Sequence, residues 1–316
     1  MSVHQLHQFD QGSVDGFLDY QSSTKTVVLG PTVKETVFNF YVEGRPEKTF
    51  ILIVSETPAN FIKWRLWLNN FSLTKEFKPN DSANLEGRSL HMHLFDITHI
   101  VAKGKNEFMI TYSGVRPLSI HLINVVSIFK EEGFKTFYSL RAGLALLRPG
   151  EEIALEGSGK NYLVVKGGGK NRLRIVNGRE IEETELGYEC EEYEYTSHGV
   201  LRLINEISGK NALVFLHYLT STVSPKMDFD VELKLQGNTL EVRIINTGEV
   251  TLDKVSLNVM INGVIVNFKL LGSLKPSESI SHVVQLPPNK KGNVLVRAVG
   301  IKAGIRKVVD RNLEVK

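Results

Sequence analysis

The stretch LEVRIINTGEVTLDKVSLNVMINGVIV, residues 240–266, decides how this chain folds. Read for periodicity it gives strands at 239–245, 254–261 and 264–271. Asn262-Gly263 falls between Val259-Met-Ile261 and Val264-Ile-Val266, and because both residues tolerate positive φ the pair predicts a two-residue hairpin turn. Working outward, further runs at 227–235, 279–286, 293–301 and 305–315 bring the count to seven strands in about 90 residues, the number an immunoglobulin-like sandwich needs.

The same grammar extends towards the amino terminus. Runs rich in Val, Ile, Leu, Phe and Thr at 36–43, 49–55, 61–68, 89–95, 106–113 and 118–129 are punctuated by turn residues. The segment 133–148 suits a helix through Phe134, Phe137, Arg141 and Leu144, and a strand through the alternation of Phe137, Ser139 and Arg141 with Tyr138 and Leu140. The expected fold class is all-β, a series of β-sandwiches. Glu131-Glu-Gly133 and the small-residue stretch ending at Pro225 mark boundaries, which gives domains at 1–130, 131–224 and 225–316. Their formal charges are +1, −3 and +5.

Composition removes several classes. With 316 residues, 42% apolar and 23% charged, the chain has ordinary globular usage, which argues against disorder and coiled coil. A lone Cys190 allows no intramolecular disulfide and no cysteine-based zinc cluster, and its glutamate neighbours disfavour a thiolate. A net charge of +3 is small for this length, so no nucleic-acid partner is expected. No apolar run reaches the roughly 20 residues of a membrane span, so no membrane insertion is expected. The amino terminus does not read as a secretory signal, which is compatible with a cytoplasmic or virion protein, or with a cell-surface one if the sequence is a processed form.

Two resemblances add to this reading. Residues 240–266, followed by LGSLKPSESISHVVQLPP at 271–288, resemble the immunoglobulin-like modules of the CARDB family, in which an Asn-x-Gly turn (Asn246-Thr247-Gly248) and a Leu-x-Pro-x-Glu-Ser segment (Leu274 to Ser279) recur. Ser277 stands where that segment usually has Gly. The resemblance implies a spacer or interaction domain and carries no catalytic residue. Further upstream, Ile62 to Asn70, Leu94-Phe-Asp-Ile-Thr98 and Lys103 to Thr111 are similar to the galactose-binding-like jelly rolls that accompany many glycoside hydrolases. Asn70 replaces the usual turn Gly there.

Candidate site residues follow from strand alternation. Trp64, Leu66 and Leu68 share one face, and Lys63, Arg65 and Trp67 the other. Trp67 reads either as a stacking platform for a sugar ring, with Lys63 and Arg65 as donors, or as a cover for an apolar patch. Eight glutamates between Glu180 and Glu194 are interleaved with tyrosines. Alternation places Glu189, Glu191, Tyr193 and Tyr195 on one face, to dock a basic partner or simply to be solvated. His91 and His93, with Asp96 and His121, resemble the beginning of a metal site but fall short of three converging ligands, so no metal and no cofactor is assigned. Lys166-Gly-Gly-Gly-Lys170 lacks the following helix and the Ser/Thr of a phosphate loop and reads as a hairpin turn. No nucleophile elbow, zinc-protease helix or dinucleotide fingerprint occurs. The expected function is therefore a non-catalytic binding or assembly protein that engages carbohydrate or protein partners at a surface, with a homo-oligomer or larger assembly possible. The alternatives are a structural component of a virion spike, turret or surface layer, and a carbohydrate-active or cupin-like metal enzyme.

Overall fold

Short β-branched and aromatic runs, closed by Gly, Asn and Pro turns, pair antiparallel throughout the computed structural model, which describes residues 5–58, 64–74, 78–85, 88–206, 210–223, 226–288, 292–302 and 305–315. Among these residues no helix occurs, and the chain is all-β as expected. The backbone divides into two compact units, one of residues up to 130 together with 135–223, the other of 131–134 together with 224–316.

The first unit holds four sheets. Sheet I orders Glu35–Val42, Gly104–Tyr112, Trp64–Leu68 and Phe71–Thr74. Sheet II orders Gly16–Ser23, Leu118–Lys130, Lys48–Thr57, Arg88–Asp96 and Asp81–Leu85, with Val27–Leu29 also paired to Leu118–Lys130. Sheet III orders Leu6–Val14, Lys135–Leu147, Ala212–Val223, Ser158–Gly167 and Cys190–His198, and sheet IV orders Glu152–Leu155, Leu201–Asn205, Asn171–Asn177 and Glu180–Leu186. Three cores join them as consecutive layers. Phe40, Ile53, Trp64, Phe108 and Ile123 fill the space between sheets I and II; Leu52, Met92, Val126, Leu140, Phe215 and Tyr218 that between II and III; Leu147, Val165, Ile175, Leu203 and Val214 that between III and IV.

Sheets II and III are thus covered on both faces, which explains why Leu118–Lys130 and the first seven residues of Ala212–Val223 are buried almost residue after residue rather than alternately. Polar side chains inside them bond to one another, within sheet II and, through Tyr218, from sheet III to sheet II. Asn124 donates to Ser22 Oγ (2.9 Å) and accepts from the Tyr218 hydroxyl (2.6 Å), and Ser127 bonds Thr49 (3.2 Å).

The ambiguous segment 133–148 is the strand Lys135–Leu147. A bulge between Ala142 and Ala145 resets its alternation, so that Leu140, Ala142 and Leu144 face sheet II while Ala145 and Leu147 face sheet IV. The expected division at 130 and 131 is spanned by Leu6–Val14, which pairs with Lys135–Leu147 from Leu6 opposite Gly143 to Val14 opposite Thr136.

The second unit is a two-sheet sandwich. Phe229–Gln236, Thr239–Asn246 and Ser279–Gln285 form one sheet, and Val264–Leu270, Lys254–Ile261, Gly292–Lys302 and Ile305–Val315 the other, around a core that includes Val242, Leu257, Val259 and Val296. Asn262 and Gly263 take φ values of 50° and 82° in the predicted hairpin turn. Asn246 ties the two recurrent motifs together: its amide donates to the carbonyls of Val250 and Leu274, both at 2.8 Å, and its Oδ1 accepts from Gly248 N–H at 2.9 Å.

Candidate functional site

Strand Trp64–Leu68 turns Trp64, Leu66 and Leu68 into the core and leaves Arg65 exposed and Trp67 half-buried on the outer face of sheet I. Across the sheet Trp67 lies opposite Met109, and Met109 opposite Val37, which is 44% exposed; Ser72 stands opposite Trp67 on its other side. These residues form an outward apolar strip with the indole near its centre. Lys63 lies outside the described residues.

The local motifs of this sandwich hold its loops. Asn69 and Asn70 both have positive φ and close a two-residue hairpin between Leu68 and Phe71, as expected of Asn in place of Gly. Asp96 Oδ1 accepts from the N–H and hydroxyl of Thr98 (2.9 and 2.6 Å), and Thr98 Oγ1 accepts from Thr49 N–H (2.9 Å). Asn106 is fully buried and bonds Ala102, Gly104 and Asn69.

The acidic segment divides. Glu191, Tyr193 and Tyr195 do share a face of Cys190–His198, and the two tyrosines stack with ring centroids 6.2 Å apart while packing against the core between sheets III and IV. Tyr193 donates to Glu191 Oε2 (2.6 Å) and Tyr195 to Glu182 Oε2 (3.0 Å), and burial, reinforced by these carboxylates, pushes both phenols up. On the opposite face Glu192 accepts from Tyr162 and Glu194 from Tyr20. Glu189 precedes the strand and turns to accept Thr26 N–H at 2.5 Å. Burial pushes the Cys190 thiol up to about 12.

The histidines do not come together. His93 is buried with its ring 5.1 Å from that of Trp64, and burial holds it down at about 4, while His91 Nδ1 lies 3.0 Å from Ser82 Oγ. His121 points elsewhere, at Glu56. Among the described residues no three His, Cys, Asp or Glu side chains converge on a metal position.

What the sequence reading missed is a cleft of about 550 Å³ at the seam of sheets II and III. His121 Nε2–H donates to Glu56 Oε2 (3.1 Å), the Thr26 hydroxyl lies 3.2 Å from His121 Nδ1, and Arg88 Nη1 bonds Glu56 Oε1 (2.6 Å). The bond from His121, with help from Arg88, holds the Glu56 carboxyl at about 2. Opposite stand Lys166, whose ammonium donates to the Tyr188 carbonyl, and Lys210, whose Nζ lies 6.0 Å from the centre of the Tyr188 ring.

The turn 166–170 builds this wall, and here the hairpin expectation is corrected. Ser158–Gly167 belongs to sheet III and Asn171–Asn177 to sheet IV, so the glycines carry the chain from one layer to the next. Gly169 has φ +86°, and a Cβ on it would lie 2.3 Å from the Tyr188 ring. The available sequence signal was Lys166 itself, a charge directly after the buried run Tyr162-Leu-Val-Val165.

Comparison with known proteins bears on the second unit. Residues 223–301 match the CARDB family model. They form a CARDB domain. The second unit's seven strands in two sheets, six of which begin within the matched residues, are immunoglobulin-like, in agreement with the sequence reading. No curated protein matches the chain. Solved structures similar to it include the glycoside hydrolase domain of Endo-D from Streptococcus pneumoniae R6 (13% identity, 64% of this chain and 34% of that one, TM-score 0.21). Others are the β-glucuronidase of Parabacteroides merdae (11%, 58% and 27%, 0.25) and a putative β-galactosidase from Bacteroides fragilis (12%, 60% and 33%, 0.23). This chain spans about a third or less of the length of each. Among the described residues no helix is long and apolar enough to cross a membrane.

Proposed function

We propose that the protein is a non-catalytic binding protein that engages carbohydrate through the outer face of sheet I. The observation that carries this reading is Trp67, half-buried in an apolar strip beside the exposed Arg65. An indole on the face of a sheet offers a large apolar surface at small entropic cost, and a neighbouring guanidinium supplies hydrogen-bond donors for hydroxyls. The CARDB domain supports the same general role, since such modules serve as spacers or interaction domains. We further read the segment 1–130, apart from the strand Leu6–Val14 that joins sheet III, as a galactose-binding-like jelly roll, a reading supported by the Asp96-Thr98 corner and the buried Asn106 turn.

A glycan-array screen of wild type and Trp67→Ala tests this. Trp67→Ala should keep its circular dichroism spectrum and lower the signal of every bound glycan at least about tenfold, given what aromatic anchors contribute. An empty array for the wild type, or binding that survives the substitution, overturns the reading.

Assembly into a larger structure is the second reading. The edge strand Val264–Leu270 favours it, because Val264, Ile265, Phe268 and Leu270 are all exposed on an unpaired sheet edge. Sedimentation of the full chain separates the two, and a monomer at every concentration removes the assembly reading.

A further inference from the structure

We infer that the cleft between sheets II and III binds a small organic oxyanion, its carboxylate or phosphate head held by Lys166 and Lys210. This goes beyond the surface reading above and uses none of its residues.

Charge in the cleft is unbalanced, and Lys166 carries its share of it in a buried position. Three cations line the cleft: Arg88, Lys166 and Lys210. Two carboxylates face them, Glu56 beside Arg88 and Glu189, whose charge acts on Lys166, so the cleft carries one positive charge more than negative. Glu56 has one oxygen on Arg88 and the other on His121, and Glu189 accepts the backbone N–H of Thr26. Arg88 is therefore matched, whereas neither lysine has a carboxylate within 4.0 Å among the described residues. Lys166 is only 9% exposed, and its contact is the Tyr188 carbonyl.

An ammonium has three N–H donors, and a carbonyl dipole satisfies one of them without cancelling its charge. A buried cation left so is costly unless a counter-charge joins it. Lys166 and Lys210 both meet Tyr188, one at its carbonyl and the other over its ring, so a single anionic head can reach both from there. Leu90 and Leu213 supply apolar lining, so the occupant has a carbon skeleton as well as a charged head. A volume of about 550 Å³ suits a single small molecule.

Isothermal titration of the full chain at fixed ionic strength tests the inference, with inorganic phosphate in one arm and propionate in the other. At least one probe should bind saturably at a single site, and the arm that responds identifies the head group. Lys166→Met and Lys210→Met should each weaken that binding about tenfold or more, as expected when a charge-assisted bond is lost. Trp67→Ala should leave it unchanged, which keeps this result distinct from the glycan screen. Because Lys210 is exposed, its variant decides the matter even if Lys166→Met fails to fold. No saturable binding in either arm, or wild-type affinity in Lys210→Met, overturns the inference.

Discussion

Ser277 is the residue at which local geometry and chemistry disagree most plainly. It has φ +65°, in the left-handed region, and its side chain is exposed, so nothing on the side chain compensates. Its N–H donates to the Asn246 carbonyl at 2.9 Å, a bond that any residue would make. An L-residue in this conformation costs about 1–2 kcal/mol, whereas Gly there loses roughly 0.5–1 kcal/mol through the freer unfolded chain. Ser277→Gly should therefore stabilise the protein by about 0.5–1 kcal/mol. Calorimetry of the full chain checks this through a raised transition for the CARDB domain, and an unchanged or lowered transition shows that the turn is not strained. The resemblance to CARDB segments already flagged this position as one where Gly is usual, so the departure was visible in sequence while its backbone cause was not.

At the scale of elements, turns with a local chemical signature were readable and contacts between distant segments were not. Asn262-Gly263 and Asn69-Asn70 each close a hairpin because both residues accept positive φ, which needs no knowledge of the rest of the fold. The glycines after Lys166 carry an equally clear turn signal. Whether the chain then pairs with the strand it has just left or passes to another layer depends on which sheet receives it, and that is set by partners far away in sequence. The strand Lys135–Leu147 has a bulge that moves its buried face part-way along. Asn246 joins two segments that the sequence displays only as separate motifs. Its side chain makes three hydrogen bonds and is 1% exposed. Asn246→Ala leaves the buried carbonyls of Val250 and Leu274 without this donor and should cost about 2–4 kcal/mol at roughly 1 kcal/mol or more per bond. Urea unfolding that shows less than about 1 kcal/mol would mean that the two segments hold together through packing alone.

The layered arrangement of the first unit sets how the whole molecule responds to pH. Among its buried histidines are His93 and His217. His93 lies against Trp64 between sheets I and II, and His217 is 1% exposed in sheet III, with Nε2–H donating to Asn161 Oδ1 at 2.8 Å. Burial, aided by His91 for the first and Arg141 for the second, holds both at about 4, below the ordinary 6.5. Both are neutral in the fold and take up protons more readily when it opens. Their contribution is thus fully present above pH 6.5 and is lost as pH falls through 4, on the order of 3 kcal/mol for each. Glu56 acts in a separate window: held at about 2 against an ordinary 4.5, it supports the fold above pH 4.5 and loses that effect only as pH falls towards 2. Urea midpoints of the full chain should therefore decline between pH 6.5 and 4.5, before Glu56 is reached. His217→Gln, which can still donate to Asn161, should reduce that decline by roughly a third to a half, because one of the two most strongly shifted histidines is gone while His93 and His91, both held down by burial, remain. A flat wild-type profile over this interval, or an undiminished slope in the variant, would show that protons reach these rings without opening the layers, and the stack would then be looser than its cores imply.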